Sequence, residues 1–132
     1  MTDPFELPLS RTVWENKYRG TGAMEHDASI DATWARVARA LAAVEADASS
    51  WEARFAGLLQ GFRFLPGGRI LAGAGTDRQS TLHNCFVMGT VEDSLDGIFD
   101  ALKEGALTMQ QGGGVGYDFS TLRPRGSAAH SH

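Results

Sequence analysis

Cys85 is the only cysteine in the chain, and it follows His83 by two residues in the run Leu82-His83-Asn84-Cys85-Phe86-Val87-Met88. A thiol reacts as its thiolate, and a charged imidazole on the same strand face would lower the thiol pKa. Residues 82–88 favour a strand, because aromatic and β-branched side chains suit a pleated surface. Period-two alternation puts His83, Cys85 and Val87 on one face and Leu82, Asn84, Phe86 and Met88 on the other. The plainer alternative is that a free cysteine is a small buried hydrophobe and that strand neighbours merely pack. No CxxC partner is present, so dithiol and zinc chemistry within this chain are unsupported and no metal site is expected. A single cysteine also excludes an internal disulfide framework and fits a reducing cytoplasm.

The second segment with chemical potential is Gln111-Gly112-Gly113-Gly114-Val115-Gly116. Consecutive glycines admit positive φ and let a ligand approach bare amides, which can cradle an anion. No Gly-Lys-Ser/Thr follows, and the loop succeeds a helix rather than linking a strand to one. Phosphate cradle and tight structural turn both remain open on this pattern. Glu92 and Asp93 precede a helix start, where the dipole favours negative charge. His130 and His132 read as a solvated tail.

These residues need elements to position them. Residues 1–28 are expected to be irregular, apart from one or two helical turns within residues 14–18. Ile30, Trp34, Val37, Leu41 and Val44 trace one helical stripe, with Ser29 or Asp31 as cap. Ser49 and Glu52 have capping-box spacing ahead of Trp51, Phe55, Leu58, Leu59 and Phe62. These aromatics read as helix–helix core, and Pro66-Gly67-Gly68 forbids continuation. Residues 70–75 read as weakly extended. Ser94 caps a third helix with Leu95, Ile98, Leu102, Ala106 and Met109 as its stripe. Residues 110–116 form a loop, and residues 116–119 a short strand. Strand, helix, loop and strand make one βαβ step.

Composition bounds the rest. A chain of 132 residues, 42% hydrophobic and 21% charged, is sufficient for a globular core. Its net charge of −4 and scattered basic residues argue against a nucleic-acid surface. No stretch reaches the length and apolarity of a membrane span. The start carries Asp3 and Glu6 without a basic region, unlike a secretory signal.

Four ordered phrases add a family resemblance. They are Ser10-Arg11-Thr12-Val13-Trp14-Glu15-Asn16-Lys17-Tyr18-Arg19, then Phe64-Leu65-Pro66-Gly67-Gly68-Arg69-Ile70-Leu71-Ala72-Gly73-Ala74-Gly75-Thr76. Leu82-His83-Asn84-Cys85-Phe86-Val87-Met88-Gly89 is the third, and the fourth runs from Thr108-Met109-Gln110-Gln111 through the glycines to Thr121-Leu122-Arg123-Pro124. Over residues 9–126 the chain resembles the amino-terminal region of adenosylcobalamin-dependent (class II) ribonucleotide reductases.

That resemblance implies an α/β fold: a helical amino-terminal region leading into the first strands of a ten-stranded α/β barrel, here an incomplete domain. Residues 1–28 would be an irregular arm, 29–65 the helical region, and 66–132 the barrel start with its glycine-rich loop. It implies reduction of the ribose 2′-hydroxyl by thiyl-radical chemistry in the cytoplasm. Cys85 would be one half of the reducing cysteine pair. Asn84, Cys85 and Gly114 would line the ribonucleotide substrate, and Asp93, Ser94 and Leu95 the deoxynucleotide (dNTP) effector. Adenosylcobalamin would serve the complete enzyme rather than bind these residues. The remaining barrel, a thioredoxin-type reductant and a second copy in a homodimer are the other implied partners; nucleic acid and membrane are not.

The radical cysteine, the partner of Cys85 and the Asn and Glu of the central loop have no counterpart in this chain, so it is not expected to turn over alone. Residues 127–132 also depart from the family's continuation. An incomplete barrel would leave apolar surface exposed on residues 82–88 and on the third helix. Two alternatives stand beside this reading: a stand-alone nucleotide-binding or regulatory module without catalysis, and a helical interaction protein acting through residues 30–62.

Overall fold

A computed structural model of the chain describes residues 4–20, 26–78 and 80–128. They fall into two compact units, Met1–Leu82 and His83–His132. The tail histidines His130 and His132 lie outside the described residues.

The first unit is helical. Pro8 opens α1 (Pro8–Lys17), where a proline ring presets the backbone and its missing N–H costs nothing. This ten-residue helix occupies much of the arm expected to be irregular. Its pattern is weak in isolation, but Trp14 is buried and meets Phe5 at 5.6 Å between ring centroids. Tertiary burial of one face is what sustains such a helix.

In α2 (Ile30–Ala42), the Ser29 hydroxyl accepts from the Ala32 amide at 3.2 Å, so Ser29 rather than Asp31 is the cap. Ile30, Trp34 and Val37 are buried as the stripe requires. Val44 departs from it, because the helix ends at Ala42 and leaves that side chain 88% exposed. α3 (Ala48–Leu59) starts two residues earlier than the capping-box spacing indicates. Asp47 caps it by accepting from the Ser50 amide at 3.2 Å, and Glu52 instead pairs with Arg39 at 3.3 Å. Leu59 is buried, whereas Trp51 and Leu58 remain exposed, so the core reading holds for Trp34 and only partly for this stripe.

A 3-10 turn (Gln60–Phe62) follows, with Gly61 at φ +63°. The stretch expected to be extended is a helix, α4 (Gly68–Gly73). The preceding helix ends before Pro66 is reached, and Arg69, Ile70, Leu71 and Ala72 are adequate helix formers once Gly67 has turned the chain. Trp14, Ile30, Trp34, Val37, Ala38, Leu59, Leu71 and Ala74 form the core of this unit. Burying each large side chain there contributes roughly 1.5–3 kcal/mol.

One polar network crosses that core. The Trp14 indole donates to the buried Thr33 hydroxyl at 3.0 Å, and Thr33 donates to Asp27 at 2.7 Å. Arg36 pairs with Asp27 at 3.0 Å and donates to the carbonyls of Tyr18, Leu71 and Ala74. A buried charge is tolerated when its partners are this complete.

The second unit contains β1 (Cys85–Val87), α5 (Leu95–Gln110) and β2 (Gly114–Gly116). The strands pair in parallel, as a strand–helix–strand crossover requires. β1 is shorter than the expected 82–88, and β2 lies two residues before the expected 116–119. The register decides the second difference: Cys85, Phe86 and Val87 oppose Gly114, Val115 and Gly116. The expected loop is therefore partly strand. Ser94 caps α5, its hydroxyl accepting from the Gly97 amide at 3.0 Å. Tyr117 lies over the buried Gly105, with its hydroxyl donating to the Ala101 carbonyl at 3.3 Å.

Apolar exposure in this unit matches the expectation for an incomplete barrel. Val87 is 91% exposed, Leu95 72% and Leu102 55%. No helix among the described residues is long and apolar enough to cross a membrane.

Candidate functional site

Cys85 opens β1 with its thiol exposed. The amide of Gly114 donates to the Asn84 carbonyl at 2.9 Å, which seats Gly114 opposite Cys85. A Cβ built on Gly114 would lie 3.4 Å from that carbonyl oxygen and 3.5 Å from the Cys85 sulfur. Asn84, Cys85 and Gly114, which the resemblance groups as substrate-lining, thus come together at one edge of the parallel pair. Phe86 takes the opposite face and is half-buried. The His83 ring meets Phe86 at 6.1 Å between centroids, so the imidazole packs on the side chain next to the cysteine.

The glycine run is a turn leading into a strand. Gly112, at φ +86°, donates to the Met109 carbonyl at 2.9 Å, and Gly113 donates to Thr108 at 3.0 Å. With Gly114 bound to Asn84, all three amides have backbone acceptors, and an anion would have to compete with each. Of the two readings left open by the pattern, the structural turn is the one these bonds support.

The segment implied for the effector is separate. Residues 93–95 precede or open α5, while Gly114 follows its far end; sixteen helical residues span about 24 Å. Leu95 is exposed, and the Ser94 hydroxyl is occupied as a cap. Asp93 is gripped by Arg123, whose Nε lies 2.9 and 3.0 Å from the two carboxylate oxygens. Arg123 also donates to the Asp93 and Ala128 carbonyls at 3.0 Å each, and Thr121 donates to the Val91 carbonyl at 2.6 Å. Sequence reading missed this clasp. Its partners are thirty residues apart, and opposite charge alone does not pair them.

A helical unit followed by a parallel strand–helix–strand step with a thiol on its first strand matches one family over both parts. Residues 6–79 fit the ribonucleotide reductase all-alpha domain, and residues 83–132 fit the ribonucleotide reductase barrel domain. The chain belongs to the ribonucleotide reductase family. The division between Leu82 and His83 falls where one domain match ends and the other begins.

Among relatives, the vitamin B12-dependent ribonucleoside-diphosphate reductase of Mycobacterium tuberculosis is 43% identical over 101 residues, covering 73% of this chain and 14% of that protein. The enzyme of the same name from Thermoplasma acidophilum is 34% identical over 117 residues, 89% of this chain and 15% of that protein. The ribonucleoside-diphosphate reductase subunit alpha of Chlamydia trachomatis is 36% identical over 94 residues, 71% of this chain and 9% of that protein. The chain spans at most about a seventh of the length of these relatives.

Proposed function

We propose that this chain is the amino-terminal part of an adenosylcobalamin-dependent ribonucleotide reductase and that Cys85 is one half of its reducing cysteine pair. The observation that carries this reading is the exposed Cys85 thiol beside Asn84 and the side-chain-free Gly114. A glycine there leaves room for a sugar to approach the sulfur. Cys85 and a second thiol from the remaining barrel would together supply two electrons and two protons. The 2′-hydroxyl would leave as water, and the two sulfurs would form a disulfide. A thioredoxin-type dithiol would then reduce that disulfide. The names of the relatives favour a ribonucleoside diphosphate as substrate.

Adenosylcobalamin would initiate the radical in the complete enzyme. The described residues do not fit it: a groove of about 490 Å³ in the helical unit is lined mainly by apolar side chains such as Phe5, Val13, Trp14 and Leu65. The polar rim of a corrin needs many hydrogen-bond partners. Asp93, Ser94 and Leu95 are proposed as the dNTP effector segment, with Asp93 already ordered by Arg123. The exposed apolar face of α5 is proposed to pack within the completed, homodimeric enzyme. A stand-alone nucleotide-binding module has less support, because the glycine amides that would hold a phosphate are already bonded.

The test is Cys85→Ser in the enzyme completed by the rest of the barrel. It should abolish multiple turnover while sparing radical formation. Full turnover of that variant with an external dithiol would overturn the reducing role.

A further inference from the structure

β1 pairs over only three residues, so its ladder does little to fix which way the strand faces. Something else must hold Cys85 outward. Gly113 is buried, and a Cβ built on it would lie 2.9 Å from both Cδ2 and Cε2 of Phe86 and 2.8 Å from Cγ2 of Thr108. The Phe86 ring therefore rests on bare backbone, with Thr108 of α5 as the second wall. Any side chain at 113 would force the ring or Thr108 to shift. The neighbouring glycine differs, since a Cβ on Gly114 would make only ordinary contacts. One glycine admits the ring beneath the strand, and the next leaves clearance above it.

We propose that Gly113 and Phe86 are the positioning pair for Cys85. Adjacent strand residues point to opposite faces, so seating Phe86 against Gly113 forces the residue before it outward. A one-residue slip would exchange the two faces. The slot at Gly113 accepts Phe86 only in the register that sets Cys85 opposite Gly114. This inference rests on Cys85 being the reactive thiol of the proposed function, and it adds what aims that thiol.

The experiment measures Cys85 alkylation by iodoacetamide in the full chain, below the melting temperature of each variant. Gly113→Ala should displace Phe86, free the strand to turn Cys85 away from the open face and lower the alkylation rate about fivefold or more, because overpacking removes the seat that fixes the facing. Gly113→Ala combined with Phe86→Val should return the rate to within about twofold of the parent, because the smaller side chain makes room for the methyl. An unchanged rate in folded Gly113→Ala overturns the proposal, since a merely structural glycine would lower the melting temperature alone. A double variant that stays as slow as Gly113→Ala also overturns it. If Gly113→Ala does not fold, Phe86→Val alone is measured. The emptied slot should then lower the rate about threefold, and no change sinks the idea. Alkylation does not depend on ribonucleotide reduction, so loss of the reducing role, read from Cys85→Ser turnover, is a separate outcome.

Discussion

Gly114 donates its amide to the Asn84 carbonyl at 2.9 Å, and this bond joins two residues thirty positions apart beside the Cys85 thiol. The bond also settles what the glycine run is for. Its amides are used to close the turn after α5 and to start β2, so the recognition proposed for this edge falls to side chains and to the space a glycine vacates. The thiol and the clearance next to it are products of one register.

Gly114→Ala separates clearance from folding. The added methyl would stand 3.4 Å from the Asn84 oxygen and 3.5 Å from the Cys85 sulfur, both ordinary contact distances. Stability of the chain should change by less than about 0.5 kcal/mol, as for most substitutions at exposed positions. In the completed enzyme the same methyl stands where the sugar is proposed to approach, and KM for the ribonucleotide should rise about tenfold. Steady-state kinetics with unchanged KM would show that substrate does not pass this edge.

Two arginines of the chain should differ sharply in cost. Arg36 holds Asp27 and three backbone carbonyls inside the helical unit, so Arg36→Leu strands a carboxylate in the core. Breaking a buried pair this way costs about 3–5 kcal/mol. The Arg123–Asp93 pair is partly open to water, and Arg123→Leu should cost about 1 kcal/mol or less. Urea unfolding compares them; equal midpoints would contradict the burial argument.

Local pattern made the helices of residues 30–62, the cap at Ser94 and the parallel strand–helix–strand step legible. α1 escaped because its stability comes from burial of Trp14, a tertiary effect that a weakly patterned segment does not advertise. α4 escaped because Gly67 and Gly68 look like a turn, and a glycine-rich helix exists only when packing rewards it, here through Leu71. β2 was placed two residues late because glycines carry no strand propensity; pairing with Cys85–Val87 put it there. At the candidate site, the family resemblance names Asn84, Cys85 and Gly114, and the strand pairing brings them together. Phe86 on Gly113 and Arg123 on Asp93 were not legible, since each depends on close approach across a helix or a loop.

The α5 face offers a prediction whose outcome depends on what surrounds the chain. Leu102 is more than half exposed, and Ala is as good a helix former as Leu. Leu102→Ala should therefore change the stability of the 132-residue chain by less than about 0.5 kcal/mol. In the completed enzyme the same truncation should cost about 2–5 kcal/mol, the range for a packed leucine. Calorimetry on both forms checks this, and equal small effects would mean that nothing covers α5.

Asp118 supplies a pH-dependent test of the segment after β2. Its carboxylate accepts from the Ser120 hydroxyl and from the Ser120 amide, the latter at 2.9 Å, and these bonds hold its pKa below the ordinary aspartate value. Because the folded value is the depressed one, the stabilising contribution is complete above the unfolded value of about 3.9 and is lost as pH falls through the folded value. Neutral pH should therefore show no dependence on this group, and any loss should be confined to strongly acidic solution. An NMR titration of the Asp118 side chain should give a midpoint below that of an unstructured aspartate. Ser120→Ala, which removes the hydroxyl but keeps the amide, should move the midpoint partly back. A titration unaffected by Ser120→Ala would show that the hydroxyl is not the main cause.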